Sequence, residues 1–139
     1  MAYGISETAS SLTITLAAKS RDELYRDAVK AALEAVYGGE PPAGASDGQT
    51  YPVQGAGLKE GDILRTFVTE CFEAASRAPG TLRAPRWLAF DEGRVTANLA
   101  LSMPKVRARE LDPALRGAVE TEGAFPDFRA TLAFSVPSH

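Results

Sequence analysis

Carboxylates are the side chains of this sequence that could do chemistry, because cysteine and histidine each occur once. A lone cysteine, Cys71, forms no intramolecular disulfide and no CxxC motif. With a single histidine at the C-terminus, His139, a Ser-His-Asp or Cys-His mechanism or a histidine-rich zinc site lacks its central residue. Carboxylates near strand ends could instead give Ca²⁺ or Mg²⁺ its oxygen ligands. They are Glu7, Asp91, Glu92, Glu110, Asp112, Glu120, Glu122 and Asp127. Their spacing matches no metal motif, so exposed turn charges are the simpler reading.

A glycine-containing string, GAGLKEG at 55–61, lies between a predicted strand and a predicted helix. It resembles a dinucleotide-binding loop but reads GxGxxxG, which is one residue too long. The short strand before it contains Pro52, and the expected acidic partner falls inside the following helix. We interpret the string as a strand-to-helix turn that needs glycine.

Length and composition indicate one globular domain spanning 1–139, since the chain is 45% apolar and 24% charged. The net charge of −3 and the pI of 5.2 argue against direct nucleic-acid binding, for which a concentrated basic face is typical. No apolar run approaches the ~20 residues that span a bilayer, and residues 1–4 carry no basic leader. We therefore expect a soluble, cytoplasmic protein without membrane contact, and a reducing compartment suits the lone cysteine.

Two helices and a strand-rich second half must position any site. Alternating apolar residues at 12–17 predict a half-buried strand, and Ser20 with Glu23 forms a capping box that starts a helix ending near Gly38. A second helix is predicted over 58–78, and the position of Cys71 on its apolar stripe indicates a core residue rather than a nucleophile. Glycines and prolines make 38–50 a surface loop, open to interpretation as disordered or as a contact surface.

Further strands are predicted at 51–54, 86–90, 94–101, 115–122 and 128–136, with a hairpin turn at 91–93. The order, with two helices early and a run of strands late, predicts an α+β fold. We expect a mostly antiparallel or mixed sheet with two helices packed on one face.

Several short strings are spread over nearly the whole chain: Tyr3 followed by Glu-Thr-Ala-Ser at 7–10, KSRDELY at 19–25, VQG at 53–55, DEGR at 91–94 and FRATLAFSV at 128–136. In that order they resemble the Tyr with His-Thr-Ala-Asp, the Lys-Thr-x-Glu-Glu-Leu-Phe, the valine-glycine string, the Asp-Gly-Gly-Arg hairpin and the closing strand of the archease family.

The resemblance implies a non-enzymatic helper that promotes guanylylation and turnover of the GTP-dependent RNA ligase joining tRNA exon halves. It also implies a divalent-metal site that includes the motif's aspartate and an aspartate of the last strand. Here the matching positions are Glu7 for the motif histidine, Ser10 and Ser135 for the two aspartates, and Glu122 for the histidine of Val-Thr-Tyr-His-Gly. Exchanging carboxylates for hydroxyls removes charge that offsets ion dehydration, so we expect a degenerate site with at most a weakly bound Ca²⁺ or Mg²⁺. These four residues are expected to converge at one end of the sheet.

The sequence thus predicts an archease-like accessory protein, a non-catalytic modulator of a tRNA-splicing RNA ligase. The alternative is a divergent binding module on the same scaffold, with an unrelated protein or a small ligand as its partner. A third hypothesis is a small hydrolase that uses clustered carboxylates, although it lacks an internal histidine.

Overall fold

A computed structural model describes residues 2–7, 11–38, 49–102, 120–122 and 128–135. Within them the chain forms two helices and seven strands, which confirms the predicted α+β class. The first half contains β1 (Ala2–Glu7), β2 (Ser11–Ala18), α1 (Arg21–Tyr37), β3 (Thr50–Ala56) and α2 (Glu60–Arg77). The second half contains β4 (Thr81–Asp91), β5 (Arg94–Ser102), β6 (Glu120–Glu122) and β7 (Phe128–Ser135). Residues 39–48 of the predicted loop and 115–119 of a predicted strand lie outside the described residues.

Within the described residues the strands form two antiparallel sheets in place of the single sheet expected, and the two helices pack as the α+β prediction required. One sheet has the order β1-β2-β7-β6 and the other the order β3-β5-β4. Helix α1 contacts β1 and β2 of the first sheet and β4 of the second, while α2 packs against β3 and α1. The sheets therefore bury their apolar faces against a shared helical layer, and α1 bridges the strands β1 and β4 at their edges.

Helix α1 begins and ends where the capping pattern predicts. The Glu23 backbone N–H donates to Ser20 Oγ at 3.1 Å, and the Lys19 N–H donates to Glu23 Oε2 at 3.3 Å. At the other end Gly38 has a φ of 75° and donates its N–H to the Glu34 carbonyl, which is the left-handed C-cap that glycine favours. The local sequence alone fixes the bounds of this helix.

The glycines of the GAG string serve close packing of β3 on α2. A Cβ added to Gly55 would collide with the Ile63 carbonyl, and one added to Gly57 would lie 2.5 Å from Asp62 Cβ. Thr66 Oγ1 accepts from the Ala56 N–H at 2.8 Å and lies 3.0 Å from the Ala56 carbonyl. The interpretation of this string as a turn that needs glycine agrees with this packing.

Strand β4 starts earlier than predicted, at Thr81, and its pairing with β5 shifts register on both sides of Pro85. Proline donates no ladder hydrogen bond and is tolerated at an edge or a bulge. Side chains of α1 cover the outer edge of β4 at this place. The Leu82 N–H donates to Tyr37 Oη at 3.0 Å, and Arg26 Nη1 lies 3.5 Å from the Pro85 carbonyl.

The core confirms the predicted apolar faces. Leu12, Ile14 and Leu16 alternate into it from β2, and Cys71 is fully buried on the apolar stripe of α2. Burial raises the pKa of the Cys71 thiol well above its ordinary value. Cys71 is thus a core residue whose reactive thiolate form is disfavoured.

Candidate functional site

The first sheet brings together the backbones of two of the four residues matched to the family's metal site. Glu7 at the end of β1 pairs with Leu12 of β2, and the neighbouring Ser11 pairs with Ser135 at the end of β7. Ser10 lies outside the described residues, one position before Ser11 in the sequence. The ends of three neighbouring strands therefore place positions 7, 11 and 135 at one end of this sheet.

Glu122 lies at the other end of β7, so the expected convergence of all four residues is wrong for Glu122. It pairs with Arg129, six positions before Ser135, which corresponds to about 20 Å along an extended strand. The physical reason is the antiparallel pairing of β6 with β7, which sets the last residue of β6 beside the start of β7. Glu122 is thus separated from the end of the sheet that carries Glu7 and Ser135.

Acidic side chains form no metal-sized cluster within the part of the chain that the structure describes. No three His, Cys, Asp or Glu side chains gather there in a way that could hold an ion. The carboxylate of Glu60 instead joins the two helices. Arg21 donates through Nε to Glu60 Oε1 at 2.7 Å and through Nη2 to Glu60 Oε2 at 3.0 Å, and Tyr25 Oη donates to Oε2 at 3.0 Å.

This ion pair belongs to an aromatic joint at the start of both helices. The Arg21 guanidinium lies 4.7 Å from the ring centre of Phe90, and the Tyr25 ring meets Phe67 and Phe90 edge-on at 5.3 and 5.6 Å. Burial, followed by the nearby Glu60 charge, raises the pKa of the Tyr25 phenol. The joint holds α1, α2 and β4 together and keeps Tyr25 a hydrogen-bond donor.

A cleft of about 380 Å³ opens between the edge strands of the two sheets, with α1 along its length. Tyr3 of β1 lines one side, residues 82–84 of β4 line the other, and Lys30, Leu33 and Glu34 come from α1. Such a volume is at the lower end of the range for small-molecule pockets.

Hydrogen bonds fix the polar groups on both sides of the cleft. Tyr3 Oη donates to Glu34 Oε2 at 2.8 Å, and Arg83 Nε donates to Ser102 Oγ at 2.9 Å. Ser102 is itself buried, so it holds the Arg83 side chain from within the fold. Sequence reasoning missed this group because Tyr3 and Glu34 are 31 positions apart and carry no motif.

A second feature of α1 that sequence reasoning missed is a buried carboxyl. Asp27 is fully buried, and among the described residues neither of its side-chain oxygens has a hydrogen-bond partner. Burial, together with the nearby charge of Glu23, raises the pKa of the Asp27 carboxyl, and Lys30 opposes the rise. The sequence feature that could have revealed it is an aspartate among apolar residues on the buried face of the predicted helix.

Comparison with known proteins finds no match, either among protein-family models or among curated proteins. The helices of the described residues also include none that is both long and apolar enough to cross a membrane.

Proposed function

We propose that this protein is an archease-like accessory protein, a non-catalytic cytoplasmic modulator of a GTP-dependent tRNA-splicing RNA ligase. The observation that supports it most directly is the position of Glu7 and Ser135 at one end of the first sheet. The resemblance matches these two positions, 128 residues apart, with one metal site, and antiparallel pairing through β2 brings their backbones to the same end.

The site on this protein is degenerate in the proposal, because hydroxyls stand at the two aspartate positions, 10 and 135. Hard divalent cations favour charged oxygen ligands, so Ca²⁺ or Mg²⁺ binds weakly. The partner is then recognised through the protein surface, with the metal in a minor role.

The direct test is multiple-turnover ligation by the RNA ligase of the same organism, with and without this protein, at fixed GTP and metal. The proposal expects more turnovers per ligase and a larger guanylylated fraction. An active ligase that shows neither change would overturn the ligase role.

Restoring the carboxylates tests the site separately from the ligase. The double variant Ser10→Asp/Ser135→Asp is expected to bind Ca²⁺ or Mg²⁺ at least about tenfold more tightly than the unaltered protein by calorimetry, since two charged ligands are added. The matched control is Thr50→Asp/Ser76→Asp, which adds the same charge at exposed positions elsewhere. Equal affinities for the two double variants would show that positions 10 and 135 form no site.

The second candidate is a binding module on the same scaffold with an unrelated protein partner. Two exposed apolar side chains favour this candidate. Leu58, in the connection from β3 to α2, is 100% exposed, and Trp87, on β4, is 46% exposed. Large apolar and aromatic side chains are typical anchors of protein interfaces.

The variants Leu58→Ser and Trp87→Ser separate the two candidates. If the accessory role is correct, the unaltered protein stimulates the ligase, and the same ligation assay measures how much of that stimulation each variant retains. If the module reading is correct, ligation is unchanged by the protein, and a pulled-down partner is lost from both variants. An exposed charged residue of α2, Arg65→Ser, serves as the control because it lies outside this apolar pair.

A further inference from the structure

The cleft between β1, α1 and β4 carries two opposite charges above an apolar base. Leu33, which keeps 6% of its surface exposed, and the exposed Ala84 contribute the accessible apolar part, and the fully buried Leu82 lies behind them. Lys30 and Glu34 project from the same side of α1, because residues four apart on a helix have Cβ atoms about 5–6 Å apart. Arg83 adds a second positive charge from the β4 side.

Lys30 and Glu34 do not neutralise each other. Among the described residues, Lys30 lies within ion-pair distance of no carboxylate, and a lysine four residues before a glutamate is the weaker orientation for a helical pair. Glu34 directs Oε2 to Tyr3 Oη instead, and no bond is made by Oε1 within the same residues. Each charge is therefore available to a ligand.

The positive side of the cleft is preorganised. Arg83 Nε donates to Ser102 Oγ, and the backbone before it is fixed by the bond from the Leu82 N–H to Tyr37 Oη. These bonds come from a buried serine and from α1, so the guanidinium contributes positive potential to the cleft without first having to be ordered.

From this arrangement we propose that the cleft binds a small zwitterion of the α-amino-acid class. Its carboxylate lies on the Lys30 and Arg83 side, its ammonium lies at Glu34 Oε1, and its aliphatic side chain lies against Leu33 and Ala84. The volume of about 380 Å³ leaves room for a molecule of that size. This site is separate from the sheet end that carries Glu7 and Ser135, and the proposal does not rest on the ligase role.

Three probes of the same carbon skeleton test the charge requirement: leucine, its deaminated analogue 4-methylpentanoate, and its decarboxylated analogue 3-methylbutylamine. We expect amide-resonance shifts around Leu33 and Ala84 on titration with leucine. Each analogue binds at least about tenfold more weakly, because one charge-assisted hydrogen bond is absent.

Charge-removing variants then assign each contact. Glu34→Gln keeps an acceptor for Tyr3 and is expected to abolish the preference for leucine over 4-methylpentanoate. Lys30→Gln is expected to weaken leucine and 4-methylpentanoate about equally while leaving the amine unaffected. The exposed residues Lys59→Gln and Glu92→Gln, which do not line the cleft, are the matched controls.

Saturable binding of leucine that is sensitive to both cleft variants and to neither control would support the proposal. No shift with leucine in the folded protein would overturn it. Equal binding of leucine and 4-methylpentanoate would also overturn it, because the ammonium contact with Glu34 would then be absent.

Discussion

Arg21 and Glu60, the first residues of the two helices, are joined by two parallel hydrogen bonds across 39 positions of sequence. The paired geometry is the strong form of an arginine–carboxylate contact. Both side chains are about two-thirds shielded from solvent, at 32% and 29% exposure. Because Tyr25 also donates to Glu60, this carboxylate satisfies three donor atoms at once.

The variant Glu60→Ala is therefore expected to lower the free energy of unfolding by about 2 kcal/mol, since it removes the common acceptor of three hydrogen bonds. Urea denaturation measures this change. The control Glu92→Ala removes an exposed carboxylate from the β4–β5 hairpin and is expected to have little effect. An equal loss in both variants would show that the joint contributes nothing specific.

The cap of α1 gives a second prediction. Ser20→Ala removes the acceptor of the Glu23 N–H, so the free energy of unfolding is expected to fall by about 1 kcal/mol. Ser20→Asp keeps a side-chain acceptor at the N-cap and is expected to restore most of that loss. Thermal unfolding of the three proteins provides the measurement, and an unchanged melting temperature for Ser20→Ala would count against the cap.

The buried carboxyl of Asp27 gives a prediction of pH dependence. Its pKa is raised in the folded state, so the folded protein holds this proton more tightly than the unfolded chain does. The resulting stabilisation is fully present below the ordinary pKa near 3.8 and is lost as the pH rises through the folded-state value. Above that value a charged carboxylate is buried that has no hydrogen-bond partner in the part of the chain that the structure describes.

Asp27→Asn is thus expected to raise the free energy of unfolding at neutral pH by about 1–3 kcal/mol, with the gain shrinking as the pH falls. Denaturation at several pH values measures the difference from the unaltered protein. Asp22→Asn is the matched control on the same helix, since Asp22 is half exposed and forms its ion pair with the neighbouring Arg26. A constant difference across pH for Asp27→Asn would contradict the raised pKa.

Glycine is needed at position 55 for lack of space and at position 38 for the backbone conformation. Gly55→Ala is expected to cost about 1–3 kcal/mol, because the new Cβ meets the backbone of α2 at Ile63 and the helix must shift. Gly38 has open space around it but a φ of 75°, so Gly38→Ala costs about 1 kcal/mol of backbone strain, and Gly38→Asn costs less. Chemical denaturation of the three variants measures these costs, and a neutral Gly55→Ala would contradict the close packing of β3 on α2.

Local patterns predicted the parts of this fold that local interactions determine. Ser20, Glu23 and Gly38 set the limits of α1, and Gly93, with a φ of 71°, forms the predicted turn between β4 and β5. The division into two sheets was not predictable in this way, because it depends on which distant strands pair. Alternation in a strand indicates a buried face and contains no information about the neighbouring strand.

The candidate site shows the same limit. The strings at 7–10 and 128–136 were matched to one site, and pairing through β2 does bring their described ends together. Glu122 was assigned to that site from its string alone, whereas its location follows from its pairing with Arg129. The cleft, in turn, combines β1, α1 and β4, whose side chains meet only in the folded chain.

The covering of the β4 edge by α1 affects how this protein aggregates on heating. Tyr37 occupies the Leu82 N–H, and Pro85 offers no N–H of its own, so another strand finds few partners there while α1 is docked. When α1 detaches, an eleven-residue strand loses this cover. Self-association on heating should therefore begin when α1 separates from β4, before the sheets themselves come apart. Substitutions that weaken the packing of α1 should then promote aggregation more than their loss of stability alone accounts for.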